Sequence, residues 1–280
     1  MHQLALIGCG KMGQALLRGI LRSGFLSPSE ILACDVAREP LAGLLDETGV
    51  AFTNSPMEVA EKASAILVAV KPKDVPALFM DMPPGLMASK LVLSVAAGIT
   101  LAQLANYLPR GARIVRVMPN TPALVGQGAS AYACESDVTA ADVEFVEKVF
   151  GSVGIVRRVE EKLIDAVTGL SGSGPAYVFT IIEALADGGV QCGLPRALAL
   201  ELAAATVGGA AAMVAQTGEH PAALRDAVAS PGGTTIAGIA ALEAGGLRNA
   251  LISAVNAAAR RSAEMSRPAN GHGAARPEEA

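Results

Sequence analysis

The stretch Leu4-Ala5-Leu6-Ile7-Gly8-Cys9-Gly10-Lys11-Met12-Gly13-Gln14-Ala15-Leu16-Leu17 decides the fold. Four apolar residues in succession read as a strand covered on both faces, and Met12–Arg22 carries helical spacing. Glycines 8, 10 and 13 lie between them. A GxGxxG spacing alone is common, but at a strand-to-helix junction each glycine has a task. The first permits the tight turn, the second lets backbone approach a pyrophosphate, and the third lets helix and strand pack closely. The helix start adds unpaired N–H groups and the positive end of its dipole. On this reading Gly8, Cys9, Gly10, Lys11, Met12 and Gly13 bind a nicotinamide dinucleotide. The alternative is a glycine turn that serves packing alone.

Moving outward, Ile31–Cys34, Ala65–Val70, Leu91–Val95 and Arg113–Val117 are further apolar runs, with helical stretches such as Pro56–Lys62 between them. This is the pattern of a parallel sheet covered on both faces, so residues 1–160 are expected to form a doubly wound α/β, Rossmann-type domain. Beyond about residue 160 the strand signal stops. From Ala166 to Ala186 the only charge is Glu183, and from Ala197 to Ala215 it is Glu201. Helices apolar nearly all round must be buried on every side, and a domain of about 100 residues cannot surround two of them. Residues 161–265 are therefore expected to form a helical domain that packs against another subunit. The Pro-, Asn-, Gly- and Glu-containing segment 266–280 reads as a disordered tail.

Composition narrows the class. With 51% hydrophobic and 17% charged residues in 280, the chain can bury a sizeable core. A net charge of −4 leaves no broad cationic surface for nucleic acid. The uncharged run from Leu202 to Ala215 is shorter than the ~18–20 residues that cross a bilayer, so no membrane span is expected. Met1-His2-Gln3 leads straight into a strand without a secretory leader, and the four cysteines lack metal or disulfide spacing. A cytoplasmic protein without a bound metal is expected.

Several residues near the expected carboxyl edge of the sheet are candidates for the cofactor. Asp35, 22 residues after Gly13, is placed to accept from ribose hydroxyls, which favours NADH. Arg38 is placed to pair with a 2′-phosphate, which favours NADPH; a turn-stabilising Asx role for Asp35 is the plainer alternative. Val70-Lys71-Pro72 ends an apolar run at that edge, where Lys71 is either a cofactor contact or a solvated loop lysine. Met118-Pro119-Asn120-Thr121-Pro122 ends another. Its Asn120 or Thr121 offers donor and acceptor groups to a carboxamide, or the segment is an ordinary turn.

The helical half contains two segments rich in small polar residues, Ser171-Gly172-Ser173-Gly174-Pro175-Ala176-Tyr177 and Ser230-Pro231-Gly232-Gly233-Thr234-Thr235. Each precedes a helix, so each is either a cap or an anion nest of N–H donors beside hydroxyls. A carbonyl reductase needs a proton donor for the developing alkoxide. Here no lysine follows Lys162, the histidines sit at the termini or in a polar turn, and Tyr177 reads as a packing residue. A protonated imine brings its own proton and accepts hydride to become a neutral amine, which removes the need.

The glycine loop, Val70-Lys71-Pro72, Ala96-Ala97-Gly98, Met118–Pro122, Asp165–Tyr177, Ala186-Asp187-Gly188-Gly189 and Ser230–Thr235 together resemble pyrroline-5-carboxylate reductase, over residues 3 to about 265. The resemblance implies NADPH- or NADH-dependent reduction of 1-pyrroline-5-carboxylate to L-proline. It also implies a Rossmann domain followed by a helical dimerisation domain, in a homodimer often assembled into a decamer. Carried over by position, Thr235 hydrogen-bonds the ring nitrogen, and the amides of Gly233 and Thr234, at the helix start that follows Ser230-Pro231-Gly232, hold the carboxylate, so that Ser230, Gly232, Gly233, Thr234 and Thr235 form the substrate segment. Glu161 lies toward the substrate, and Asn54, Lys71, Ala97 and Asn120 toward the cofactor. Two rivals remain at this point. A 3-hydroxyacid or 6-phosphogluconate type dehydrogenase would need a helix lysine that this chain lacks, and a non-catalytic nucleotide-sensing scaffold would have no use for a nest among apolar helices.

Overall fold

The computed structural model describes residues 1–267. The chain forms two compact units, Met1–Gly172 with the described residues 258–267, and Ser173–Ala257. They part beyond residue 160, where the strand signal stops, because Ile164 still packs into the core of the first unit.

The first unit is built on eight strands: β1 (His2–Ile7), β2 (Ile31–Cys34), β3 (Ala51–Thr53), β4 (Ala63–Val68), β5 (Leu91–Ser94), β6 (Arg113–Met118), β7 (Gly128–Cys134) and β8 (Gly154–Arg158). Their order in the sheet is β3-β2-β1-β4-β5-β6-β7-β8. Strands β1 to β6 pair parallel, β7 runs antiparallel to β6, and β8 runs parallel to β7. The parallel doubly wound core matches the expectation. Strands β3, β7 and β8 were not expected. The run Gly128-Ala129-Ser130-Ala131 is too poor in large apolar residues to read as a strand, and β8 is an edge strand with two arginines.

Alternation along β1 shows why its sequence is apolar without a break. Leu4 and Leu6 face a core shared with the helices Lys11–Arg22 and Ala140–Gly151. Ala5 and Ile7 face the opposite core, with Val59, Val75, Phe79, Leu101 and Leu104 from the helices on that side. The helix Lys11–Arg22 buries Leu16, Leu17 and Ile20, each worth about 1.5–3 kcal/mol. Leu16→Ala would cost about 2–5 kcal/mol. Toward the end of the chain, Ser262 is 5% exposed and donates to the Asp165 carboxylate at 2.6 Å. Ser266 and Arg267 follow the helix Leu247–Met265, and the remainder of the expected tail, 268–280, lies outside the described residues.

The second unit holds the helices Gly174–Gln191, Arg196–Thr217, Pro221–Ala227 and Thr234–Ala244 and the start of Leu247–Met265. Its core of buried residues is Ala186, Ala199 and Ala203. The first two long helices approach through small residues, with a Cβ built on Gly189 only 3.2 Å from that of Ala199. Elsewhere apolar side chains face outward: Phe179 is 64% exposed, and Leu185, Leu200, Leu202, Met213 and Leu242 are exposed as well. These surfaces are what a single copy of the unit cannot cover. The uncharged run Leu202–Ala215 is part of the 22-residue helix Arg196–Thr217, which by length and composition alone is apolar enough to cross a bilayer; Arg196 and Glu201 are the charges it carries.

Candidate active site

Because β1 to β6 are parallel, their carboxyl ends share one edge. Gly8 follows β1, Asp35 follows β2, Asn54 follows β3, Val70-Lys71-Pro72 follow β4, Ala97 follows β5, and Pro119 and Asn120 follow β6. The order reverses between β1 and β4, and the glycine loop stands at that reversal, where open α/β sheets bind their ligands. The loop's three glycines differ in kind. Gly8 has φ +91°, and a Cβ there would come within 2.7 Å of the Ala69 backbone; one at Gly13 would lie 2.3 Å from the Gly8 carbonyl oxygen. At Gly10 nothing lies within 4 Å, so that space is open to a ligand. Gly10 is also the N-cap of Lys11–Arg22 and supplies no side-chain cap, which leaves the first-turn N–H groups free for a phosphate. The residues fit a pyrophosphate group.

Partner contacts revise several single-residue expectations. Asp35 accepts from the Cys9 amide with Oδ2 at 2.7 Å and from the Val36 amide with Oδ1 at 2.7 Å. It ties the glycine loop to the end of β2, the turn-stabilising alternative. The Cys9 thiol is buried and donates to the Cys34 carbonyl at 3.7 Å. Burial foremost, with the Asp35 charge nearby, pushes it up to about 12, so the thiol stays protonated and is no nucleophile at neutral pH. Asn120 is 8% exposed. Its carboxamide accepts from the Ala129 amide at 2.8 Å and donates to the Ser171 carbonyl at 3.0 Å. Both ends are engaged inside the fold, so it links the β6 end to the π-helical turn Thr168–Gly172 rather than presenting a free carboxamide. Lys11, Arg38, Asn54 and Lys71 are exposed at the edge, Met12, Val70, Pro72 and Ala97 are half-buried, and Pro119 is buried.

Glu161, which the resemblance sets toward the substrate, has fixed partners. Its Oε1 accepts from the Leu101 amide at 2.7 Å and from Arg116 Nη1 at 3.1 Å. It thereby serves the N-terminus of the helix Leu101–Tyr107 and balances a guanidinium that is 5% exposed. The sequence reading missed Arg116. An arginine inside the apolar run Arg113-Ile114-Val115-Arg116-Val117 was a usable signal, since a buried cation needs a paired acid.

In the second unit, the Ser230 carbonyl accepts from the Gly233 amide at 3.0 Å. Gly232 has φ +68°, and a Cβ on Gly233 would strike Ser230 Oγ. Gly233 is the N-cap of Thr234–Ala244 and makes no side-chain cap. Thr180, Thr206 and Thr217 donate to the carbonyl four residues back; Thr234 and Thr235, in the first turn, have no such partner among the described residues. Hydroxyls and free amides thus stand together on an otherwise apolar helix. Tyr177 donates to the Ala254 carbonyl at 3.4 Å, the packing role read for it.

Residues 161–265 match the family described as pyrroline-5-carboxylate reductase dimerisation, and residues 3–98 match one described as NADP oxidoreductase, coenzyme F420-dependent. Pyrroline-5-carboxylate reductase of Glycine max is 48% identical over 265 residues, covering 95% of this chain and 96% of the relative. This chain belongs to the pyrroline-5-carboxylate reductase family. The Escherichia coli reductase is 42% identical over 95% of this chain and 98% of its own length. Among solved structures, that of Coxiella burnetii pyrroline-5-carboxylate reductase superposes with a TM-score of 0.90 at 34% identity, covering 95% of this chain and 99% of the other. The Plasmodium falciparum pyrroline carboxylate reductase with NADP bound gives 0.85 at 32% identity, over 95% and 98%. A dimerisation module over the helical half agrees with the subunit contact expected from its apolar helices.

Proposed function

We propose that this chain, as an NADPH- or NADH-dependent oxidoreductase acting on a C=N bond, reduces 1-pyrroline-5-carboxylate to L-proline, the last step of proline biosynthesis. The observation that carries the assignment of roles is the start of the helix Thr234–Ala244, where unengaged hydroxyls and amides meet on an apolar element. Free N–H groups and the helix dipole suit one carboxylate. The Thr235 hydroxyl suits a ring nitrogen, and Thr235 is the catalytic residue of this reading. Ser230, Gly232 and Gly233 shape the nest, with Thr234 contributing its amide.

The cofactor, when bound, supplies the hydride that goes to the imine carbon. The glycine loop holds its phosphates, and the edge residues Asn54, Lys71 and Ala97 fix its position, so that the chain contributes orientation and electrostatics. No side chain in the nest is a strong acid, in keeping with a substrate that is already protonated at nitrogen. Residues 1–160 serve as the cofactor domain and 161–265 as the dimerisation and substrate domain.

The protein is a homo-oligomer; its unit is a dimer in which the exposed apolar faces of Gly174–Gln191 and Arg196–Thr217 cover each other. On this reading a second copy, not lipid, meets the 22-residue helix, dimers assemble further to a decamer, and the enzyme works in the cytoplasm. The test is oxidation of NADPH and NADH by purified protein with 1-pyrroline-5-carboxylate. Turnover with L-proline as product is expected, and no turnover with either cofactor refutes the assignment.

A further inference from the structure

The loop that carries Ala97, between β5 and the helix Leu101–Tyr107, is held from two directions. On one side Glu161 accepts from the Leu101 amide at 2.7 Å. On the other lies the end of the last helix, Leu247–Met265, whose residues 258–265 belong to the first unit. Met265 covers Gly98, which is buried with φ +78°; a Cβ built on Gly98 would lie 3.4 Å from that of Met265. Gln103 spans the two elements. Its Oε1 accepts from the Thr100 amide at 2.8 Å and completes the capping box of Leu101–Tyr107, while its Nε2 donates to the Ser266 carbonyl at 3.3 Å. Ser262, one turn before Ser266, is buried and donates to the Asp165 carboxylate at 2.6 Å. Asp165 itself follows Glu161 by one helical turn, so one short segment anchors both holds.

We propose that Gln103, Ser262 and Met265 are positioning residues for hydride transfer, and that the end of the last helix is a strap that fixes the Ala97 loop at the carboxyl edge. The inference rests on the cofactor reading of that edge. Ala96-Ala97-Gly98 offer two methyl groups and a glycine with the widest backbone freedom, and of the three only Ala96 reaches the core, so the loop's position is imposed by its neighbours. Asp165 anchors the strap through a charge-assisted hydrogen bond, Gln103 ties it to the helix start, and Met265 closes over Gly98. Misplacement by about 1 Å costs on the order of a hundredfold in rate, so release of one tie is expected to cost about tenfold.

The test compares the full-length protein with Gln103→Glu and Ser262→Ala by NADPH titration, thermal denaturation and steady-state kinetics with 1-pyrroline-5-carboxylate. Gln103→Glu keeps an acceptor for the Thr100 amide, so the helix cap survives, but it removes the donor to the Ser266 carbonyl. Ser262→Ala removes the hydroxyl from Asp165 without adding charge, and Ser262→Thr puts a hydroxyl back. In Gln103→Glu and Ser262→Ala kcat/KM for NADPH is expected to fall about tenfold while KM for 1-pyrroline-5-carboxylate is unchanged, and Ser262→Thr is expected to recover most of the loss. A contact that serves stability alone lowers the melting midpoint and leaves kcat/KM for NADPH of the folded enzyme as it was. That result in both variants, with the unaltered protein binding NADPH, overturns the proposal and leaves the cofactor reading standing. Failure of the unaltered protein to bind NADPH removes the cofactor reading and the proposal together.

Discussion

Alanine at Gly10 and at Gly13 should separate binding from folding within one loop. At Gly13 the added Cβ would lie 2.3 Å from the Gly8 carbonyl oxygen, more than an ångström inside a comfortable contact of ~3.5 Å. The neighbour is backbone at the β1 end and cannot rotate away, so the helix must shift from the sheet, at a cost of about 1–3 kcal/mol or more. For a unit of this size that lowers the melting midpoint by roughly 2–12 °C. At Gly10 the position is open and φ is −68°, which alanine adopts without strain. Lost N-cap preference costs about 0.5–1 kcal/mol, and reduced freedom of the unfolded chain gains about 0.4–1 kcal/mol, so the two nearly offset and the midpoint should move little. The same methyl group occupies the space through which the pyrophosphate reaches the free amides. NADPH affinity should fall tenfold or more, on the order of what a 1 Å displacement costs in a positioned complex. Thermal denaturation followed by circular dichroism and NADPH fluorescence titration read the two effects on the same samples. A Gly10→Ala protein that binds NADPH like the unaltered enzyme would refute the reasoning, as would a Gly13→Ala protein that melts with it.

Other outcomes follow from the same structure. Thr235→Ala should lower kcat by about ten- to a hundredfold and leave NADPH affinity nearly intact; parallel loss of both, in titration and steady-state kinetics, would place Thr235 elsewhere. Asn120→Ala leaves the Ala129 amide and Ser171 carbonyl without their shared partner and should cost about 1–3 kcal/mol in urea unfolding. The Asp142 carboxyl is held below its ordinary value: burial opposes this, but the Thr139 hydroxyl and amide and the Arg113 guanidinium together prevail. A depressed folded value stabilises above the unfolded value of ~3.9 and is lost as pH falls through the folded one. Urea midpoints measured from pH 5 down to pH 3 should therefore drop less steeply in Asp142→Asn than in the unaltered protein. Leu202→Glu, at an exposed position of Arg196–Thr217, should shift sedimentation toward smaller species while the first unit still binds NADPH; an unchanged assembly would move the subunit contact off that helix.

How far the sequence spoke depended on whether a residue's partner was near in the chain. Strand β1 and its glycine loop were legible because the two apolar faces and the helix that follows are local facts. The apolar helices of the second unit were legible as an unmet need for a partner surface, since no domain of that size covers them. Strand β7 was not, because Gly128 and Ser130 give no apolar pattern and its place depends on antiparallel pairing to β6. The roles of Asp35, Asn120 and Glu161 were hidden for a related reason. Asp35 is fixed by an amide 26 positions away, Asn120 by a carbonyl 51 positions away and Glu161 by Arg116, 45 positions away. Residue type and spacing marked these three as important. Only their hydrogen bonds show what they hold.

The measurement that bears most directly on the account is the initial rate of NADPH oxidation with 1-pyrroline-5-carboxylate, with the product identified by mass. The account predicts saturable turnover that yields L-proline in equal amount to NADPH consumed. Oxidation without proline, or no oxidation at all with NADPH and with NADH, would contradict it.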